Sequence, residues 1–354
     1  MLEEIKQSIV KNIWKNKIPN PIYDTSTTAA EIPNSDEYFP KEVVEYIRDH
    51  PHNKLLYSAT NPIKYHAEFY CYEDSIPLET IQHQMKLVVW WLSTIQQYTI
   101  KKCDHLKLTV YLTPLKKTIP ANIGIGGAGG GGGSRNATKN HVILSPINCN
   151  TGLSAKCGDG GFITIYREEE WFKVFIHETF HYFGLDFAFE QPPSVTTALR
   201  RLFCVSSDIW LFESYTEFWA EIIVMLVYSN IHSVNLSTIV ADEITHGLGQ
   251  AKKVLICQDF TYSQLLSPCK KDRLYIEHTN VFAYYIIKMI FLYFHEEFIQ
   301  WCIDNNPNLL QITPSELPRL IDWIEQHYRS PDFVEAMDNA VVAGNGLRMT
   351  TINI

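Results

Sequence analysis

The segment His177-Glu178-Thr179-Phe180-His181 sets two imidazoles four residues apart, with a carboxylate directly after the first. On an α-helix that spacing brings both imidazoles to nearly the same side, where they can chelate one small cation, while Glu178 faces water beside it. The pattern predicts a zinc ion and hydrolysis of an amide bond, with Glu178 handling the proton of the attacking water. The flanking residues supply the helix. Gly160-Gly161 leads into Phe162-Ile163-Thr164-Ile165-Tyr166, a β-branched and aromatic run suited to a strand, and Arg167-Glu168-Glu169-Glu170 then offers acids where a helix N-terminus favours them. A helix is expected from about Glu168 to Gly184, with Phe172, Phe175, Ile176, Phe180 and Phe183 burying it. His295-Glu296-Glu297-Phe298-Ile299 is an internal control: Ile299 stands where a second ligand would be needed, so this segment cannot chelate in the same way.

A catalytic zinc needs a third protein donor and one open position. Glu213, Glu217 and Glu221 fall on one helical stripe in a segment expected to be helical to about Tyr228. Three carboxylates beside Phe218, Trp219, Ile222 and Ile223 are costly unless something positive faces them. Glu217 is the favoured ligand, because Glu221 one turn later could then accept the free ring N–H of a liganding histidine. Glu213 as ligand with Glu217 behind it satisfies the same spacing. Asp186 is a third alternative. It lies one residue before Phe187, the place where a metzincin-type site would carry its last ligand, and reads first as a turn residue or as a partner to a zinc-bound histidine. Gly184 reads as a helix C-cap.

His177-Glu178-Thr179-Phe180-His181 followed by Glu217-Phe218-Trp219-Ala220-Glu221 resembles the gluzincin zinc metallopeptidases, and most closely the small branch related to the anthrax lethal factor catalytic domain. The resemblance covers about Gly160 to Tyr228. It implies His177, His181 and Glu217 as zinc ligands, Glu178 as general base and Glu221 as an outer carboxylate. Similar-looking proteins occur in giant DNA viruses. Members of the branch also use a tyrosine ahead of the glutamate ligand to steady the transition state; Tyr215, Tyr182 and Tyr166 are near in sequence, and none is assigned that role. The rival reading is an inactive zincin-like binding protein or a virion component, in which Cys149, Cys157 or Asp186 would close the fourth position of a structural zinc.

With 46% hydrophobic residues over 354 positions, the chain can bury a large core. Its formal charge of −9 argues against a general nucleic-acid binder and leaves a peptide or protein substrate as the expected partner. The eight cysteines, Cys71, Cys103, Cys149, Cys157, Cys204, Cys257, Cys269 and Cys302, include no C-x-x-C pair and are expected to be reduced. The first residues do not read as a signal peptide, so a cytoplasmic location is expected, with the sequons at Asn136 and Asn235 idle.

The expected fold is α+β and zincin-like, a small mixed sheet packed on the active-site helix with a mostly helical C-terminal half. Residues 1–60 form an N-terminal region, 61–230 the catalytic core, and 231–354 a helical subdomain packed on it. Strands are expected at Tyr65–Tyr72, Leu106–Leu112, Val142–Leu144 and 162–166, with 162–166 or 142–146 as the edge that holds an extended substrate. Gly124 to Ser134 lacks the lysine and hydroxyl of a phosphate loop and reads as a surface loop. Thr279 to about Asn305 reads as one long helix, and Lys288 at its middle favours a buried helix over a membrane span.

Overall fold

The computed structural model describes residues 1–354 apart from 12, 14–17, 19, 21, 25–37, 73–76, 101–102, 121–122, 124–140, 159 and 269–272. The glycine-rich segment and the Asn136 sequon lie outside the described residues. A six-stranded mixed sheet has β1 (Ile22–Asp24), β2 (Asn53–Ala59), β3 (Lys64–Cys71), β4 (His105–Leu112), β5 (Gly152–Ser154) and β6 (Phe162–Ile165) in the order β1-β2-β3-β4-β6-β5. Strands β3, β4 and β6 are parallel, in register at Phe69, Val110 and Ile165, and the others join antiparallel. The first part of the chain adds α1 (Leu2–Ile9), α2 (Lys41–Asp49), α3 (Leu78–Ile95), α4 (Pro146–Cys149) and α5 (Trp171–Phe183).

The period of two along the strands decides which face is covered. Leu55, Tyr57, Tyr65, Ala67, Phe69, Leu108, Val110 and Ile165 join the main core with α3 and α5, and the ring of Phe69 meets Trp171 edge-on at 5.4 Å. The alternate residues Tyr70, Tyr111 and Tyr166 are covered instead by Phe39 and by Val43, Val44 and Ile47 of α2. The edge that reaches α5 is β5, not the expected 162–166 or 142–146. Val142–Leu144 has no strand conformation, and β6 is interior because the short β5 turns back along it. Ala155 N–H donates to Phe162 and Tyr166 N–H to Thr151, each at 2.9 Å, so residues 151, 153 and 155 face β6. By antiparallel alternation, the N–H and C=O of Gly152 and Ser154 point to the open side.

The remaining chain is helical, with α6 (Pro193–Leu202), α7 (Leu211–His232), α8 (Leu236–Ile256), α9 (Tyr262–Leu265), a π-helix at Phe282–Ile287, α10 (Lys288–Tyr293), α11 (His295–Asn305), α12 (Leu317–His327) and α13 (Pro331–Asn339). The single helix expected from Thr279 is thus divided: it opens as a π-helix and breaks at Phe294, whose backbone leaves the helical region at φ −101°, ψ 39°. No helix among the described residues is long and apolar enough to cross a membrane.

The cysteines differ from expectation. Cys103 and Cys157 form a disulfide with Cα atoms 6.1 Å apart, and Cys204 is also disulfide-bonded. Cys103 lies just before β4 and Cys157 shortly before β6. Because those strands are parallel neighbours, their entry points come together, a proximity that spacing along the chain does not reveal. Cys71, Cys149, Cys257 and Cys302 are free thiols.

Candidate metal centre

Helix α5 starts at Trp171 because Glu170 takes a left-handed conformation at φ 60°, and it ends at Gly184, also left-handed at φ 67°. Gly184 N–H returns to His181 O and Leu185 N–H to Phe180 O, which stops the helix immediately after the second histidine. Every residue of α5 is buried. Thr179 hydrogen-bonds the indole of Trp91 at 2.7 Å on the core side, leaving His177, Glu178 and His181 to line a cavity of about 360 Å³.

Three atoms converge at that cavity. His177 Nε2 lies 3.1 Å from His181 Nε2 and 3.1 Å from Glu213 Oε2, and His181 Nε2 lies 3.3 Å from the same oxygen. These are the residues whose ligand atoms group as a candidate metal site among the described residues. Glu213 comes from the first turn of α7. Its other oxygen accepts from Asn280 Nδ2 at 2.9 Å, which leaves Oε2 to the cluster.

The backs of the imidazoles show what the fronts must bind. His177 Nδ1 lies 2.9 Å from Glu217 Oε2, and His181 Nδ1 meets Asp186 Oδ2. With each Nδ1 donating to a carboxylate, both Nε2 atoms present lone pairs toward one another and toward a carboxylate oxygen. Three acceptors facing inward need a shared cation. Donors bound tetrahedrally at roughly 2.0–2.1 Å stand about 3.3 Å apart, so the observed triangle fits an ion of zinc's size. Without a metal, protons on the imidazoles take the place of that cation. Burial would lower the pKa of His177, but Glu213 and Glu217 raise it; burial also opposes His181, where Asp186 and Glu213 drive it well above its ordinary value. Glu213, which burial alone would raise, is held down to about 2 by the two imidazoles.

Glu217, the ligand favoured from spacing, thus stands behind His177, outside the converging triangle. Its Oε1 pairs with Lys173 Nζ from one turn earlier on α5, and Lys173 Nζ also lies 3.3 Å from Met349 Sδ. Glu221 approaches neither histidine. Its Oε2 accepts from Lys288 Nζ at 2.7 Å, and burial pushes its carboxyl up to about 8. Asp186 acts as both a turn residue and a histidine partner: Oδ1 accepts from Ala188 N–H at 3.1 Å, and Oδ2 from Thr216 Oγ1 at 3.0 Å besides meeting His181. Glu178 lines the cavity, and its Oε2 accepts from Ser154 Oγ at 2.7 Å; burial raises its pKa. Gly152 crosses directly above: a Cβ there would lie 2.9 Å from Val174 Cγ1 and 3.1 Å from Glu178 Oε1.

The sequence reading missed Asn280 and Tyr284. Both were absorbed into a long apolar helix, whereas the π-helix turns Tyr284 to the cavity with its ring 6.0 Å from His177. An asparagine and a tyrosine four apart were the only signal, and helical apolar sequence contains many such pairs. Of the tyrosines weighed earlier, Tyr215 donates to Leu310 O, Tyr182 to His105 O and Tyr166 to Tyr38 O, and none lines the cavity.

Compared with known proteins, the chain matches no family model, no curated protein and no solved structure. The buried His-His-Glu group on an α+β scaffold is consistent with a gluzincin-like metallopeptidase plan.

Proposed function

We propose that this chain is a zinc-dependent peptidase in which His177, His181 and Glu213 hold the metal and Glu178 is the general base. The observation that carries the reading is the convergence of three inward-facing acceptors on a cavity that Glu178 and an open strand edge also line. Bound zinc supplies a Lewis acid that polarises a carbonyl and lowers the pKa of water. Glu178 takes the proton from the water attacking the carbonyl carbon and returns it to the leaving nitrogen. Ser154 holds the Glu178 carboxylate against the cavity wall, and Gly152 leaves room for it. The Tyr284 hydroxyl is our candidate donor to the developing oxyanion. The outward backbone groups of Gly152 and Ser154 suit an extended peptide that adds to β5 as a further strand.

A structural zinc would need a fourth donor, and the residues considered for that role are elsewhere. Cys157 is in a disulfide, Asp186 lies behind His181, and Cys149 is buried with its thiol pushed up to about 12. The test is cleavage of a broad peptide library by the zinc-loaded protein, mapped by mass spectrometry against Glu178→Gln. Cuts present in the first and absent from the second support hydrolysis; identical patterns reject it.

A further inference from the structure

Exposed large aromatic side chains are concentrated in one place. Tyr38, Phe189 and Trp210, 50%, 57% and 40% exposed, are the aromatic members of the exposed large hydrophobic side chains among the described residues, and all three line the cavity over the metal ligands. Water contact of this extent at three rings is costly, and a rim of them around a cavity marks a binding surface. The rings also continue inward. Phe212 meets His181 edge-on at 5.6 Å and approaches Trp210 at 5.8 Å, so an aromatic wall runs from a ligand imidazole out to solvent.

We infer that this wall is a specificity subsite for one bulky aromatic or large aliphatic side chain next to the scissile bond. Phe212 and Trp210 form its side and Phe189 its outer lip. The inference rests on the peptidase reading and adds the substrate class. Size and charge both favour such an occupant. A cavity of about 360 Å³ admits a few residues of an extended peptide and excludes a folded domain. Among the described residues its lining contains no lysine or arginine to receive an acidic side chain. Its carboxylates among the described residues already hold partners, Glu213 the imidazoles and Asn280, and Glu178 Ser154 through one oxygen, which does not favour a basic side chain. Lys156, beside the wall, sits 5.0 Å from the Phe189 ring and is not among the described residues that line the cavity. A strand added along β5 directs alternate side chains to opposite faces, which lets one side chain enter the wall while its neighbours face away.

The test uses N-acetylated, C-amidated hexapeptides that differ only at one position, carrying Phe, Leu, Ala, Asp or Lys. Their binding to the zinc-loaded Glu178→Gln protein is measured by calorimetry, and their cleavage by the unsubstituted protein is measured separately. The Phe and Leu peptides are expected to bind about tenfold or more tighter than the Ala peptide. Trp210→Ala and Phe189→Ala in that background should collapse the Phe-over-Ala ratio while one zinc per chain is retained. Equal binding of all five peptides, or binding of none, overturns the subsite. Selective binding of Phe without cleavage by the unsubstituted protein upholds the subsite and rejects hydrolysis. Cleavage without preference among the five does the reverse.

Discussion

Glu217 stands behind His177, with Oε2 2.9 Å from Nδ1, while Nε2 on the far side of the ring faces Glu213. Two carboxylates one helical turn apart therefore grip the two nitrogens of one imidazole, and only Glu213 stands on the side where the two Nε2 atoms converge. Glu213→Ala should nearly abolish tight zinc binding, whereas Glu217→Gln should weaken it by about 10–100-fold through loss of imidazole orientation. Zinc stoichiometry and competitive chelator titration separate the two. Full occupancy in Glu213→Ala would return the ligand role to Glu217.

Zinc binding should release protons. Asp186 and Glu213 overcome burial and hold His181 well above the ordinary histidine range in the metal-free chain. The ion must displace that proton, so affinity falls as pH is lowered and levels off only above the raised pKa. Calorimetric titration in buffers of different ionisation enthalpy should give a positive proton release at pH 7, and heats independent of the buffer would contradict it.

Gly152→Ala should retain zinc and lose most hydrolysis. The added methyl would fall within 3.1 Å of Glu178 Oε1 and 2.9 Å of Val174, forcing the general base or the edge strand to shift. A displacement of that scale at a reacting group can cost about 100-fold in rate. Kinetics on any peptide cleaved by the unsubstituted protein, with zinc content measured alongside, checks this.

Glu170 ties the start of α5 to two distant segments. It accepts from Lys117 Nζ and from Thr350 N–H, the latter at 2.7 Å. Burial would raise its pKa, but Lys117, Lys173 and Arg348 hold it below the ordinary value. A depressed folded pKa contributes stability that is complete above the unfolded value, about 4.3, and is lost as pH falls through the folded one. Glu170→Gln should reduce this acid sensitivity and cost about 3–5 kcal/mol near neutrality, since Lys117 then lacks its partner. Denaturant titrations at pH 7 and in the acid range give both quantities.

The disulfide between Cys103 and Cys157 closes a loop with a sequence separation of 54. A chain-entropy account makes that crosslink worth about 4 kcal/mol. Peptide mapping without reductant should recover it, and Cys103→Ser with Cys157→Ser should lower the denaturation midpoint accordingly.

Local pattern alone determined much of the α+β plan. Periodicity located β3, β4, β6, α5 and α7 to within a few residues, because alternation and helical spacing are properties of neighbouring residues. The same locality placed His177, Glu178 and His181 together on α5. The third carboxylate was different. Spacing said that Glu213, Glu217 and Glu221 needed something positive, and it set the stripe against one zinc and its two histidines. The fold gives each its own: the imidazole pair for Glu213, Lys173 for Glu217 and Lys288 for Glu221. Which turn of α7 meets which turn of α5 is set by how two buried helices pack, and their mutual rotation is written in no local pattern. The contact of Asn280 with Glu213 and the Cys103–Cys157 bridge share that origin, since each joins segments far apart in sequence and becomes visible only when the chain is closed.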